Sequence, residues 1–469
     1  MAYRYGNREQ IELLPACIED YVGSDDPVRA YDAFVDALNL KELGIEEDPD
    51  QVGNSEYDPK TMLKLFVYGY SYGNDRSSRK LERAVYHNLS FIWLLGGLKP
   101  DHKTIANFRK NNKIALGNVL KQSARMCIRL NLIEGNVLFI DGTKIRANAS
   151  IKHSWNDKRC KETLKKVDRR IAEILEEADR LDNQESESGS LVKLQEELKG
   201  KQQLRQKVEA IAEELKEQNR TSINTIDKDC VATKSTHGSY AGYNAQIAVD
   251  QKNGLIGACD VVSSSVDQGQ LSQQVNNTEI VLGKSCKTAV ADAGYSDLED
   301  IEKINDTIDV IVPIQRQTES QEGFIYNKES NKYTCPEGQL LTQYTVDSEK
   351  KRTRYKVNDP VVCQNCVRFG TCTKSINGRN IGRSFFEDTS QRLIENYALP
   401  EKQVIYKQRA EKVEHPFGHM RRTLGIRSFL LRGLAGAKAE MSLFSSAFNI
   451  RRMITILGGV ERFISVVRV

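Results

Sequence analysis

The chain has 469 residues, a length at which one hydrophobic core gives way to two or three domains. It is 39% hydrophobic and 28% charged, which fits a soluble globular protein and excludes a fibrous or wholly disordered one. No apolar run reaches membrane-spanning length, and MAYRYGNREQ lacks the apolar stretch of a signal peptide, so a cytosolic protein with no membrane partner is expected. The net charge is only +4, but basic residues crowd KQRAEKV and FGHMRRTLGIRSFLLRG, and a local basic face can bind phosphate in a nearly neutral chain.

Up to about residue 130 the pattern is helical. DPVRAYDAFVDALNL and DPKTMLKLFVYGYSYG each open on a capping Asp and carry apolar residues at helical spacing. Three short helices follow, around SSRKLERAVYHN, LSFIWLLGG and HKTIANFRKNN, with tight turns between them. That arrangement suits a helix-turn-helix-like unit whose last helix offers Lys103, Thr104, Asn107, Arg109 and Lys110 to phosphates and base edges. A helical bundle with a solvated basic face fits the same residues.

VLFIDGTKIRANAS is an apolar run ending on Asp141. The charged stretch 156–219 then reads as an antiparallel helical hairpin broken at DNQESESGS, with a structural or partner-binding role. YNAQIAVD and LIGACDVV flank the turn KNG and form a hairpin expected to pair with the Asp141 strand. A helix at LSQQVNNTEIVLG leads into TAVADAGYSD, a second apolar run ending on an acid, Asp292. DVIVPIQ begins another strand, and sequence up to about Phe385 reads as irregular and turn-rich. The remainder is mainly helical, with Pro416 expected to start or kink a helix near Glu414.

Two strand-end carboxylates held side by side repel each other unless a cation lies between them, and magnesium favours such oxygen ligands. Glu414 supplies a third acid, on one helical face with Gly418 and Arg421. Singly, each acid suits a turn, a cap or a surface ion pair equally well. Asp227 and Asp229 form a smaller acidic pair, read as a solvated loop with the lining of a catalytic cleft as the alternative, and His415 and His419 flank Glu414, where they could touch DNA or cap the basic segment. Of ten cysteines, six are scattered. Cys363 and Cys366 have the spacing of a zinc half-site, which Cys335 and Cys372 could complete as a structural tetrahedral Zn²⁺ site; reduced thiols are the alternative.

The three acidic segments resemble the catalytic blocks of DDE transposases from bacterial insertion sequences. FIDGTKIRANAS is similar to the first-Asp block, ADAGYSD to the second, and YKQRAEKVEHPFGHMRR to the third, which in one superfamily carries a Tyr-Arg-Glu-Lys signature. Tyr406, Arg409 and Glu414 match that signature, with Arg421 in place of Lys and four residues rather than three between Arg409 and Glu414. LKPDHKTIANFRK also resembles the helical domain that precedes this core, and GYNAQIAVD and SFLLRGLAGAKAEMSLFSSAFNIRRM fit further blocks.

The resemblance implies an α/β fold: a ribonuclease H-like mixed sheet core with an all-helical N-terminal domain, a helical-hairpin insertion and a β/Cys-rich insertion. The expected boundaries are 1–130 for the helical DNA-binding domain, 131–155 and 220–315 for the first part of the core, 156–219 for the hairpin, 316–384 for the Cys-rich insertion and 385–469 for the helical part carrying Glu414. It further implies that Asp141, Asp292 and Glu414 bind two Mg²⁺ ions, with Mn²⁺ as a substitute, and that Tyr406, Arg409 and Arg421 hold DNA phosphates. The expected partners are double-stranded DNA, as terminal inverted repeats and target, and a second copy of the chain in a synaptic complex. The expected place is the bacterial cytoplasm, at the nucleoid. Two other readings stay open: a metal-dependent nuclease that cuts without joining, and a catalytically silent transposase-derived DNA-binding protein.

Overall fold

A computed structural model of the chain describes residues 17–46, 57–72, 76–182, 188–218, 220–236, 238–314 and 323–468. Helix and sheet are mixed, with a helical N-terminal region, as in an α/β protein. The chain divides into two compact units, one drawn from residues 1–267, 274–286 and 410–469, the other from 268–273 and 287–409. Among the described residues no helix is long and apolar enough to cross a membrane.

In the first unit, helices form where the sequence supplies both a cap and an apolar stripe. Asp26 caps Pro27–Asp36 by accepting the Val28 N–H at 2.9 Å, with Pro27 at the first helical position. Asp58 caps Pro59–Ser71, and Asp101 caps His102–Asn111, each accepting a backbone N–H (Thr61 and Thr104) at 2.7 Å. Ser78–His87 and Leu89–Leu94 complete the expected triplet of short helices, and Lys113–Arg129 follows. These helices share a core with Leu434–Leu457, most of which is buried, its polar Glu440, Ser442 and Asn449 included. Tyr70 meets Phe444 edge-on at 5.0 Å, and the Leu120 N–H donates to Ser442 Oγ at 3.0 Å.

Strand Val137–Arg146 pairs antiparallel with Gly238–Asp250, which sets Asp141 opposite Ile247 and Gly142 opposite Gln246. The other edge of Gly238–Asp250 takes Ile256–Val262, the hairpin expected around KNG, and the beginning of Gly238–Asp250 pairs with Val231–Ser235. Asn449, in the buried C-terminal helix, bonds both the N–H and the C=O of Ile256 at 2.9 Å, fixing helix to sheet. The charged insertion is a helical pair, Asp157–Asp182 and Ser188–Glu217, whose intervening residues 183–187 lie outside the described residues. Arg170–Glu197 at 2.9 Å and Arg205–Asp168 at 2.8 Å tie the two helices in antiparallel order.

In the second unit, Thr288–Val290 and Asp309–Ile311 run parallel. The stretch read from its residues as irregular holds a five-stranded antiparallel sheet, ordered Asn380–Ser384, Arg352–Val357, Leu340–Asp347, Lys332–Thr334, Ile325–Asn327. Two of its strands have only three residues, too short for alternation to register against the surrounding turns. No helix starts at Pro416: it lies inside helix Pro400–Arg422, buried with Val413, Phe417 and Met420. Burial of that kind can offset the missing N–H.

Candidate active site

Asp141 follows three fully buried residues, Leu138, Phe139 and Ile140, at the point where the strand becomes partly exposed. Its Oδ1 accepts the Gly142 N–H at 2.8 Å. Alternation puts Asp141 and Thr143 on one strand face, Gly142 and Lys144 on the other. The second face carries a polar cluster not singled out from the sequence. Asp267 pairs with Lys144 at 2.9 Å and accepts the side-chain amides of Asn244 and Gln246 at 2.8 Å each. A Cβ on Gly142 would come 2.3 Å from Gln246 Nε2 and 2.6 Å from Asp267 Oδ1, so a larger residue after the acid would displace this polar cluster.

Arg421 donates from Nη2 to Thr143 Oγ1, two residues beyond Asp141 on the Asp141 face. At about 100° per residue, Glu414, Gly418 and Arg421 lie within about 60° of one another. The helix that docks on the Asp141 strand through Arg421 therefore carries the exposed Glu414 on that same side. The chain after the helix is locked in turn: Phe429 N–H donates to Arg146 C=O at 2.8 Å, and Glu440 accepts the Leu430 and Leu431 N–H groups at 2.6 Å. Arg76 completes this lock, 3.2 Å from the fully buried Glu440 and bonded to Ser428 C=O.

Asp292 lies in the second unit, two residues past its strand, where it caps a short 3-10 turn. Oδ1 accepts the Gly294 N–H at 2.8 Å, and Oδ2 takes Arg409 Nη2 at 2.9 Å. Arg409 thus has a carboxylate partner where the sequence suggests a phosphate. Tyr406, one helical turn before it, packs edge-on against Tyr397 at 5.2 Å. Glu414 is five positions after Arg409, about 140° around the helix, whereas the commoner spacing of four would leave them about 40° apart.

Elsewhere several candidates move. Arg109 is buried, 7% exposed, donating to Arg76 C=O at 2.9 Å beside the Phe66 ring, which corrects its place among the DNA contacts. Lys103, Asn107 and Lys110 remain exposed on the same helix, and Thr104 is half-buried. Asp227 and Asp229 do not form a solvated loop: Asp227 is buried, accepts Tyr243 Oη–H at 2.7 Å and the Gly433 N–H, and Asp229 accepts the Leu434 N–H, so the pair anchors the start of the buried C-terminal helix. His415 and His419 both pack on Phe448 at 5.5 Å. Burial, with Arg451 and His415 adding to it, holds the His419 ring down to about 4.

Cys335, Cys363, Cys366 and Cys372 line a single cavity with Phe324 and Pro336. All four are free thiols. Backbone N–H groups of Gln339 and Arg368 point at the sulphurs of Cys335 and Cys366, at 3.3 and 3.5 Å. Burial raises the Cys372 thiol, opposed by Arg379 and reinforced by the other three cysteines. Among the described residues, no group of three or more His, Cys, Asp or Glu side chains is arranged to hold a metal ion.

Residues 334–454 match the family model of the transposase DDE domain, and residues 16–111 match that of the transposase domain DUF772. No curated protein and no solved structure matches the chain. Both matches are to transposase domains. Together they support, more particularly, a DDE transposase of an insertion sequence. The first match includes Tyr406, Arg409, Glu414, Arg421 and the four clustered cysteines; Asp141 and Asp292 lie outside both.

Proposed function

We propose that the chain binds the terminal inverted repeats of its own insertion sequence, cuts the DNA there and joins the freed ends to target DNA. The observation that carries this reading is the pair of transposase-domain matches, with Glu414 inside the DDE match. Asp141, within its strand just past the buried part, and Asp292, on a short turn just past its strand, are the other two acids of a ribonuclease H-like core. The DDE family generally uses divalent metal. Three carboxylates are a hard-oxygen donor set that suits Mg²⁺ or Mn²⁺. Divalent ions, when bound, activate the attacking oxygen and neutralise charge building on the phosphodiester.

The chain's own residues supply orientation. Gly142 and Gly294 N–H groups each fix one oxygen of Asp141 and Asp292, leaving the carboxylates turned as rigid units. Arg421, exposed beside Thr143, is set to hold a phosphate near Asp141, and Arg409 holds the second oxygen of Asp292. In the cutting step water attacks phosphorus and the 3′ oxygen leaves as a hydroxyl. In the joining step that hydroxyl attacks a target phosphodiester, whose own 3′ oxygen leaves. Two ends must be handled together, so the working form is a dimer on DNA, in the bacterial cytoplasm at the nucleoid. Lys103, Thr104 and Asn107 contact the repeats.

A strand-transfer assay tests the reading. Purified full-length protein is incubated with end DNA and a supercoiled target in Mg²⁺. Joined product is expected. Cut ends without joining would make the chain a nuclease, and binding without cutting a silent derivative.

A second site is proposed at Cys335, Cys363, Cys366 and Cys372: a structural Zn²⁺ held by four thiolates, which leave no open position for substrate. Its support is the convergence of all four on one cavity, with two backbone N–H···S contacts of the kind that orient thiolate ligands.

A further inference from the structure

Strand alternation sorts the five-stranded sheet onto two faces. Tyr333, Leu341, Tyr355 and Ile381 form its buried face. On the opposite face, register places Asn380, Lys356, Thr342, Lys332 and Asn327 in one row across all five strands. At about 4.8 Å per strand the row is about 19 Å long. Arg354 stands two residues before Lys356, about 6.8 Å along the strand, on the same face. A bulge between Gln343 and Thr345 inserts Tyr344 beside Lys356, whose Nζ lies 4.9 Å from the ring centroid; the tyrosine hydroxyl accepts from Asn380 at 2.5 Å.

The charges on this face do not balance. Asp347 is the acid in register on it, and it lies 3.9 Å from Arg352. Among the described residues, Lys332, Arg354 and Lys356 have no carboxylate within ion-pair distance. Lys356 and Tyr344 are exposed, and Lys332 and Arg354 partly so. A sheet face that only needed to stay solvated would gain from mixed signs, because like charges on neighbouring positions repel. Unpaired cations separated by amides and hydroxyls are instead the residue types that contact phosphate and sugar oxygens. A single strand would call for open stacking platforms, but Tyr344 is already engaged by Lys356 and Asn380.

We infer that this face docks the phosphate backbone of double-stranded DNA through Lys332, Arg354 and Lys356, without reading bases. The inference rests on the transposase reading for the source of the duplex. The test uses full-length protein and its Lys332→Ser, Arg354→Ser, Lys356→Ser triple variant. Binding to a labelled duplex of end DNA, a scrambled duplex and a single strand is followed by fluorescence anisotropy across a salt series. The variant is expected to bind both duplexes roughly tenfold more weakly or worse. Its slope of log affinity against log salt should fall by about 2–3, since each phosphate left without a cation removes about 0.9. A charge-keeping variant (Lys332→Arg, Arg354→Lys, Lys356→Arg) should restore that slope. Unchanged affinity and slope in the serine variant, with wild type binding duplex, would overturn the inference and leave the transposase reading intact. A loss confined to the single strand would overturn the duplex assignment. Failure of the wild type to bind any DNA would overturn both.

Discussion

Arg409 and Asp292 hold each other 2.9 Å apart, and that ion pair changes what Arg409 is expected to do. A guanidinium bonded to a carboxylate orients it, and a charge-assisted hydrogen bond of this kind contributes about 1.5–3 kcal/mol. Arg409→Ala should therefore slow cleavage by about 10–100-fold while leaving affinity for uncut end DNA within about threefold. Lost affinity with an unchanged cleavage rate would return Arg409 to a phosphate contact. At this scale residue type is readable from the sequence, but partner and burial are not. Asp141 and Asp292 were legible because each closes an apolar run. Arg109 was not: its positive charge suggests solvent, and the Arg76 carbonyl and Phe66 ring that bury it come from other parts of the chain. Asp227 likewise reads as loop, since Tyr243 and Gly433, which satisfy it, lie 16 and 206 positions away.

Among the elements, the helices with an Asp cap and an apolar stripe were the most legible, because both signals are local. The short strands of the five-stranded sheet were not, since each gains its partner from another segment. The helix Leu434–Leu457 depends on distant residues too. Its Glu440 is fully buried, 364 positions from Arg76, and gathers the chain after the Glu414 helix. Removing one partner of a buried ion pair strands the other, so Glu440→Ala should destabilise the fold by about 3–5 kcal/mol in denaturant titration, and Glu440→Gln by less. A loss below about 1 kcal/mol would show that Arg76 finds water instead. The Cys-rich element makes a separate prediction. Protein purified without chelator should carry about one Zn²⁺ per chain by elemental analysis, lost in Cys363→Ser with Cys366→Ser. Zinc-free protein with unchanged stability would leave four reduced thiols.

For the whole molecule, the order of blocks mattered more than any one of them. Two acids on strand ends, a third on a basic helix and a helical N-terminal region were each weak signals with bland alternatives. Of these, the N-terminal helical region and Glu414 fall inside the two transposase-domain matches, while Asp141 and Asp292 lie between them. What stayed hidden is the sharing of one core by helices near both ends of the chain, visible in Tyr70 against Phe444 and Leu120 on Ser442. Such pairs join residues hundreds of positions apart, beyond the reach of periodicity. We propose that Asp141, Asp292 and Glu414 act as one set. The most direct measurement is Mg²⁺-dependent cleavage of the gene's own border DNA by wild type and by Asp141→Asn, Asp292→Asn and Glu414→Gln, with border binding measured in parallel. Cleavage by wild type alone, with binding retained in all three variants, is the predicted result; cleavage persisting in any one of them would contradict it.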